Sequence, residues 1–243
     1  MIKDKKILAI IPARSGSKRI FNKNIKNLLD KPLIAYTINE AKKSKYIDRI
    51  ITSTDSNKIA KVARKFGSEV PFLRPKNISG DSISDFVVFK HALNWLLSNE
   101  QYKYDIIVQL RPTSPLRVVE EIDKAIELLL VHPEADSVRT VTRPEQSPYK
   151  MYKINKNGYM EPLLRIGGIV ESFNLPEQKL PKAYKHVGYV DVMWYKTIMN
   201  KKQMAGKKII PFILEKAYSG VNTEEDWNYY EYLIQSKKKS KKV

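Results

Sequence analysis

Four cationic side chains crowd a short segment that follows the first apolar run of the chain. The segment runs from Ile10 to Arg19 (IIPARSGSKR) and continues at Asn22 to Asn24 (NKN). Ala13, Ser15, Gly16 and Ser17 are small enough for backbone N–H groups to approach phosphate oxygens. The positive charge for a polyphosphate comes from Arg14, Lys18, Arg19 and Lys23. The alternative, an ordinary basic loop, is disfavoured because neighbouring cations repel one another when no anion is bound. The spacing fits neither a Walker A loop nor a G-x-G-x-x-G turn, so ordinary ATPases and dehydrogenases lose support.

Short apolar runs alternate with amphipathic stretches along most of the chain, and this alternation predicts an α/β fold. Strands are predicted over residues 6–12, 48–53, 69–72, 105–110, 135–141, 187–195 and 208–214. Helices are predicted over residues 32–43, 57–66, 84–98, 119–131 and 223–234. Strands that alternate with helices indicate a mostly parallel sheet with helices on both faces. The basic loop then lies at the carboxyl end of the first strand, where open α/β sheets bind ligands.

The segment from about residue 144 to 183 breaks this rhythm. It contains five prolines, a predicted hairpin at Asn157-Gly158, several aromatic and apolar residues, and few long periodic runs. We interpret it as an arm of a single domain that spans residues 1–236. Its apolar side chains suit a partner subunit, and packing against its own sheet is the alternative. The lysine-rich tail, 237–243, is predicted to be disordered because like charges repel.

Composition narrows the range of function classes. The 243 residues carry a net charge of +18, which suits phosphorylated small molecules or nucleic acid, although a solvated lysine-rich surface explains most of the excess. There are no cysteines, so disulfides and thiolate chemistry are excluded, and three histidines leave little room for a histidine metal site. Every apolar run is shorter than the roughly 18 residues a spanning helix needs, and the N-terminus does not read as a signal peptide. A cytoplasmic protein without a membrane partner is expected.

Several motifs in a fixed order resemble the acylneuraminate cytidylyltransferase family, the CMP-sialic acid synthetases and their relatives for other nonulosonic acids. They are the basic loop, the segment from Lys31 to Ser56, Leu73-Arg74-Pro75 with Gly80-Asp81-Ser82, and Arg111 to Arg117 (RPTSPLR). The resemblance is strong from Ile7 to Arg143 and weak beyond. It implies a Rossmann-like nucleotidyltransferase fold, a homodimer with a dimerisation arm, and synthesis of a CMP-sugar and pyrophosphate from CTP and a nine-carbon keto sugar acid.

The same resemblance implies roles for individual residues. Arg14 and Lys23 would hold the triphosphate and act in catalysis, while Ala13, Ser15 and Asn24 would shape that loop. Arg74, Gly80, Asp81 and Ser82 would contact the base and ribose. Thr113, Ser114 and Pro115 would line the junction between nucleotide and sugar, and Lys150 would reach towards the substrate from the arm. Tyr189 joins the predicted substrate-binding residues because strand alternation puts it on the same face as Asp191.

Some of these residues also admit simpler interpretations. Asp55 is more readily explained as the N-cap of the next helix than as a catalytic acid. For Asp81, a turn-forming role and a ligand-binding role are about equally supported. For Arg117, the simpler interpretation is an ion pair with an acid of the nearby helix and no role in the site. Arg111 is harder to dismiss, because it follows a fully apolar strand. Its planar fork suits a carboxylate, so it is predicted to bind the acid group of the substrate.

Two segments depart from the family pattern. Relatives carry an aspartate pair that holds magnesium before the last helix, and Gly220 and Asn222 stand at those positions. Relatives often carry a sugar-contacting asparagine where this chain has Val187. Asp191 lies within an apolar strand, so it either supplies a metal or substrate ligand or pairs internally with a lysine such as Lys185. Mg²⁺ is the expected cofactor, arriving mainly on the triphosphate, with Asp191 as its protein contact and a catalytic residue.

Three alternatives to a cytidylyltransferase remain open at this point. The same fold could act on another nucleotide or sugar. The loss of both family aspartates could leave a nucleotide- or sugar-binding protein without turnover. Nucleic-acid binding rests on charge alone, since no reader motif or aromatic platform is recognised, and it ranks last.

Overall fold

Helices and strands alternate through most of the computed structural model, which describes residues 4–215 and 220–240. The strands are β1 (Ile7–Pro12), β2 (Asn27–Leu28), β3 (Lys31–Pro32), β4 (Arg49–Ser53), β5 (Ile106–Gln109), β6 (Ser137–Thr142), β7 (Tyr152–Ile154), β8 (Met160–Pro162), β9 (Lys185–Trp194) and β10 (Ile209–Ile213). The helices are α1 (Leu33–Ala41), α2 (Asn57–Phe66), α3 (Asp85–Glu100), α4 (Val119–Val131), α5 (Tyr195–Met199) and α6 (Glu224–Ser240). The predicted α/β fold is confirmed.

The central sheet is mostly parallel, as the sequence predicts. Within the described residues it has six strands in the order β10-β6-β9-β5-β1-β4. β1 pairs in parallel with β4 and β5, and β10 pairs in parallel with β6. Only β9 runs against its neighbours, β5 and β6. The carboxyl ends of β1, β4 and β5 therefore meet at one edge of the sheet, and the loops that follow them are brought together.

Apolar side chains cover both faces of this sheet. On one face, α1, α2 and α4 bury residues such as Ile38, Ile59 and Ile126 against β1 and β5. On the other face, α3 and α5 bury residues such as Phe89 and Ile198. The long helix α6 packs Trp227, Tyr230 and Ile234 against the start of α1 and the loop after β1. Burial of these aliphatic and aromatic groups is the main favourable term in the stability of the fold.

Two details of the helices follow local sequence signals. Ser56 caps α2 by accepting a hydrogen bond from the Ile59 amide at 3.4 Å, and Gly67 ends the helix in the left-handed conformation. The strand predicted over residues 69–72 is wrong in extent, because only two isolated bridges form, Ile51 to Glu69 and Thr54 to Leu73. Pro71 lies between them and has no N–H to donate to a ladder.

The arm over residues 144–183 contains the predicted hairpin, formed by β7 and β8 around Gly158, which has a φ of 83°. α6 passes the predicted domain end at residue 236, so residues 237–240 are helical rather than disordered. Lysines near a helix C-terminus interact favourably with the helix dipole, and Lys238 also pairs with Asp30 at 3.3 Å. The rest of the predicted tail, 241–243, lies outside the described residues. None of the described helices has the length and apolar character that crossing a membrane requires.

Candidate active site

A cavity of about 490 Å³ opens at the sheet edge where β1 and β5 end. Its size is within the range of small-molecule sites. Its walls come from the loop after β1, the segment from Arg74 to Val88, the loop after β5, and the turn before α6. The lining residues are Pro12, Arg14, Ser17, Lys18, Arg19, Ile20, Lys23, Asn24, Arg74, Ile78, Ser79, Gly80, Asp81, Ile83, Asp85, Val88, Arg111, Pro112, Thr113 and Asn222.

The loop after β1 is held in shape by two side chains. Asp55 accepts hydrogen bonds from the amide and hydroxyl of Ser15, at 2.8 and 2.6 Å. Burial alone would raise the pKa of Asp55, but these bonds outweigh burial and hold it below its ordinary value. Asn24 is buried and donates from Nδ2 to the carbonyl of Arg14 at 2.9 Å. The sequence expectation that Asp55 caps the next helix is wrong, because Ser56 is the cap.

Lys23 lies between the basic loop and the turn before α6. Its Nζ donates to the carbonyl of Val221 at 2.9 Å and faces the cavity. Burial, followed by the charges of Arg19 and Arg14, lowers its pKa. A lysine whose charge is disfavoured by burial and by two arginines is stabilised when an anion binds beside it.

Arg74 lines the cavity and directly follows Leu73, which forms an isolated bridge with Thr54 just after the end of β4. It is only 5% exposed, and its Nε and Nη2 have no hydrogen-bond partner among the described residues. Burial first, and then the charge of Arg14, lowers its pKa. Buried donors without partners are costly, so a guanidinium in this state indicates a place where a ligand or water supplies the acceptors.

The Gly80-Asp81-Ser82 turn faces the basic loop. Asp81 forms ion pairs with Arg14 and with Lys18, the latter at 2.6 Å. The hydrogen bonds from Lys18 and Arg14 lower the pKa of Asp81. Gly80 and Asp81 line the cavity, while Ser82 is exposed and lies outside the lining.

Arg111 lines the cavity at the end of β5 and pairs with Asp85 at 2.6 Å. The same carboxylate oxygen accepts from Nε2 of Gln109 at 2.8 Å. Gly188 has a φ of +61°, and a Cβ there would lie 3.2 Å from Nε of Arg111, so the backbone of β9 packs directly against this guanidinium. Asp85 was missed from the sequence. The signal for it is its place at the first turn of a helix that directly follows the Gly80-Asp81-Ser82 turn.

Of the remaining residues predicted to bind nucleotide or substrate, some line the cavity and others do not. Thr113 lines it, whereas Ala13, Ser114 and Pro115 are buried and lie outside the lining. Lys150 is half-buried within the arm, and this chain alone does not bring it to the cavity.

Tyr189 is not a cavity residue, because a bulge breaks the strand alternation on which its prediction depends. The pairing of β6 with β9 shifts between Arg139 and Val141, and Tyr189 packs in the same core as Val190 and Val192. Its hydroxyl donates to Glu121 and accepts from the amide of Val118 at 2.8 Å. Tyr189 therefore anchors β9 to the start of α4.

Asp191 also lies away from the cavity lining. It is 1% exposed, and both carboxylate oxygens lie 2.9 Å from Nε2 of His186. In the sheet it lies beside Gln109 of β5 and Arg139 of β6. The internal pairing that was the alternative to a ligand role is therefore present, with His186 in place of Lys185 as the partner.

The described residues do not fit a protein-held divalent metal ion. A Cβ on Gly220 would lie 2.9 Å from Oγ1 of Thr113 and 3.3 Å from its carbonyl oxygen, so an acid at this position would require Thr113 to shift. Asn222 donates from Nδ2 to the Gly220 carbonyl at 2.8 Å, and Asp226 accepts from the amides of Asn222 and Thr223. Asp226 and Thr223 thus form a capping box at the start of α6. Across the part of the chain that is described, no three histidine or acidic side chains are grouped as a metal site would need.

Comparison with solved structures identifies the fold. A solved structure titled CMP:2-keto-3-deoxy-manno-octonic acid synthetase complexed with CTP superposes with a TM-score of 0.71. It is 15% identical and covers 96% of this chain and 99% of its own. At that identity the similarity shows the fold alone.

Sequence similarity then defines the family. The profile of the cytidylyltransferase family matches residues 8–159. The flagellin modification protein B of Campylobacter coli is 32% identical over 95% of this chain and 96% of its own length. A CMP-N,N'-diacetyllegionaminic acid synthase of Legionella pneumophila is 32% identical over 95% and 97%. The chain belongs to the cytidylyltransferase family, and it is an enzyme of that family.

Proposed function

We propose that this protein transfers a cytidylyl group from CTP to a nonulosonic or related keto sugar acid and releases pyrophosphate. The observation that carries the proposal is the cationic cavity at the carboxyl end of β1, with Arg74 presenting buried, unpartnered donors to it. The names of the relatives support the sugar class, since one is a synthase of a CMP-linked legionaminic acid derivative.

Catalysis of this reaction depends mainly on positioning the two substrates and on neutralising the charge of the triphosphate. The anomeric hydroxyl of the sugar attacks the α-phosphorus, the new P–O bond forms, and the bond to the bridging oxygen of pyrophosphate breaks. Arg14 and Lys23 line the wall formed by the basic loop, where they are suited to hold the β- and γ-phosphates as charge shifts to the leaving group.

The sugar acid is assigned to the opposite wall, beside Arg111. One edge of its guanidinium is bound by Asp85, and the residue remains 42% exposed at its side chain. A substrate carboxylate can pair with the remaining donors of this fork. Arg111→Gln should therefore raise the KM for the sugar acid by about 10- to 100-fold while the KM for CTP changes little.

Two further features belong to this proposal. The protein is proposed to hold no Mg²⁺ ion of its own, because the donor set described above does not fit one. A homodimer is proposed because the arm exposes apolar side chains such as Ile154, Tyr159 and Met160, at 76%, 71% and 64%. Sedimentation at micromolar concentration that gave a monomer of 28.2 kDa would contradict the dimer. A cytoplasmic location stays a prediction from the sequence.

The test is a pyrophosphate-release assay with CTP, UTP, GTP and ATP, each combined with a panel of nonulosonic and shorter keto sugar acids. Release that needs both CTP and a sugar acid is the expected result. Release with a different nucleotide, and not with CTP, would show that the enzyme uses a base other than cytosine. Nucleotide binding without release in any mixture would make this a binding protein without turnover.

Arg14→Ala and Lys23→Ala provide the matched variants for this assay. Each should weaken triphosphate binding by about 10- to 100-fold and leave cytidine binding almost unchanged, because each removes a charge-assisted contact to phosphate. Unchanged CTP affinity in both variants would show that the basic loop does not hold the triphosphate.

A further inference from the structure

The charge of the cavity is far from balanced. Six lining side chains are cationic, namely Arg14, Lys18, Arg19, Lys23, Arg74 and Arg111. Only two lining side chains are carboxylates, Asp81 and Asp85, which leaves an excess of four positive charges. A nucleoside triphosphate without metal carries about four negative charges near neutral pH, because the terminal phosphate carries up to two and each inner phosphate one.

Both lining carboxylates are already bound by cations. Asp81 is held between Arg14 and Lys18, and Asp85 accepts from Arg111 and Gln109. Asp55, beneath the loop, is taken by Ser15. A divalent ion prefers carboxylate oxygens, so it would have to displace an arginine or a lysine to gain one here.

A lysine lies where a metal-binding turn would need its ligands. Nζ of Lys23 is 2.9 Å from the carbonyl of Val221, the residue between Gly220 and Asn222. Thr113 packs so closely against Gly220 that a side chain at residue 220 would require it to shift. The ammonium group is thus bound to the turn that lines the cavity before α6.

We propose that the cavity recognises the triphosphate in its metal-free form, with Lys23 and the surrounding arginines supplying the charge neutralisation that a metal and a carboxylate pair would otherwise supply. This inference rests on the proposed function, because it concerns how the same site binds CTP. A complex with Mg²⁺ removes about two of the four negative charges and adds a cation to a cationic cavity. Metal-free CTP is the better electrostatic complement.

The test is calorimetric titration of the full chain with CTP in EDTA and, separately, in excess MgCl₂ at matched ionic strength. Matching is required because salt screens these contacts. We expect CTP to bind in EDTA at least as tightly as in MgCl₂. Affinity that is about threefold or more higher in MgCl₂ would overturn the inference and leave the proposed function intact. Absence of CTP binding in both buffers would instead remove the proposed function.

Two variants make the test specific for Lys23. Lys23→Gln keeps a donor for the Val221 carbonyl and removes the charge, so binding in EDTA should fall about tenfold more than binding in MgCl₂. Lys61→Gln is the matched control, because this lysine is exposed on α2 and lies outside the cavity lining. It should change both affinities by the same factor. An equal response of the two variants would show that Lys23 has no special role.

A second measurement does not depend on nucleotide. Mn²⁺ binding to the chain alone, followed by electron paramagnetic resonance, should show no stoichiometric site below about 1 mM. A stoichiometric site that is lost in Asp81→Asn or Asp85→Asn would place a metal on these carboxylates and overturn the inference.

Discussion

Arg74 and Arg117 are both almost fully buried, yet they are bound in opposite ways. Arg117 is 2% exposed and donates to the carbonyls of Tyr189 and Arg111 at 2.7 and 2.8 Å and to the Thr37 hydroxyl at 2.9 Å. Arg74 is 5% exposed and leaves Nε and Nη2 without a partner among the described residues. A buried cation whose donors are all used stabilises the fold, whereas one with unused donors is prepared for a ligand.

The position of Arg117 explains why its donors are used. It joins the end of β5, helix α1 and the bulged part of β9 by donating to the carbonyls of Arg111 and Tyr189 and to the Thr37 hydroxyl. Burial lowers its pKa to about 10, which still leaves it charged at neutral pH. The sequence suggested that Arg117 pairs with a helix acid, and this is wrong, because carbonyl and hydroxyl oxygens take its hydrogen bonds.

The largest expected effect is on stability, from Arg117→Leu. The substitution leaves two carbonyl acceptors and a hydroxyl without their donor, so the free energy of unfolding should fall by about 3–5 kcal/mol. Urea unfolding followed by circular dichroism measures this loss. A loss below about 1 kcal/mol would break the distinction drawn between the two arginines.

Arg74→Leu should show the reverse pattern. Its unpartnered donors contribute nothing to the fold, so the free energy of unfolding should stay the same or rise slightly. CTP affinity should fall by about 10- to 100-fold, since a charge-assisted contact is worth about 1.5–3 kcal/mol. Calorimetry and urea unfolding on the same preparation separate the two effects. Destabilisation as severe as that of Arg117→Leu would mean that Arg74 is structural.

Sequence reasoning predicted the elements well where hydrophobic period and capping signals agree. α2 between Ser56 and Gly67 and α4 over Val119–Val131 lie where the period predicts them. Short elements without a period were missed, as with β2, β3 and α5. Buried partners of Arg117 could not be predicted either, because hydrogen bonds to carbonyls depend on tertiary approach and leave no mark on residue type.

The site was predictable to the same degree. Loops at strand ends converge in any parallel sheet, so the basic loop and Arg111 could be brought together from sequence. The orientation of the β9 side chains could not be predicted in this way, because a bulge changes which face each side chain occupies. Gly188, with its positive φ, is the only sequence signal of that bulge among the described residues of β9. That is why Tyr189 was placed in the cavity and is found under α4.

Asp136 is a third buried charge, and its hydrogen bonds should make the stability of the fold depend on pH. Asp136 is 3% exposed, pairs with Lys201, and accepts from the amides of Lys207 and Lys208 at 2.8 and 3.1 Å. The hydrogen bond from Lys201 and the backbone bonds lower its pKa to about 2. Because the folded-state pKa is below the unfolded one, the stabilisation is complete above about pH 4 and is lost as pH falls towards 2.

The expected size of this effect is about 2 kcal/mol, from a shift of nearly two pKa units. Urea unfolding of the wild type and Asp136→Asn between pH 6 and about pH 2 measures it, and the difference between the two proteins should shrink as pH falls. A difference that stays constant with pH would mean that the Asp136 carboxylate has the same pKa in both states.

The smallest expected effect concerns Asp191 and magnesium. Both of its oxygens face His186, its neighbours across the sheet are Gln109 and Arg139, and it is not among the residues that line the cavity. Like Arg117 it is buried with its polar atoms used, so it belongs with the structural charges. Asp191→Asn keeps an acceptor for His186 and should cost only about 1 kcal/mol of stability.

The dependence of pyrophosphate release on magnesium concentration should therefore be the same in Asp191→Asn and in the wild type. The matched control is Glu224→Gln, an acid that is exposed, pairs with Lys26 and lies in the first turn of α6. A clear rise in the magnesium requirement of Asp191→Asn alone would mean that this carboxylate leaves His186 and reaches the triphosphate. It would also show that complete hydrogen bonding does not by itself separate structural charges from functional ones in this fold.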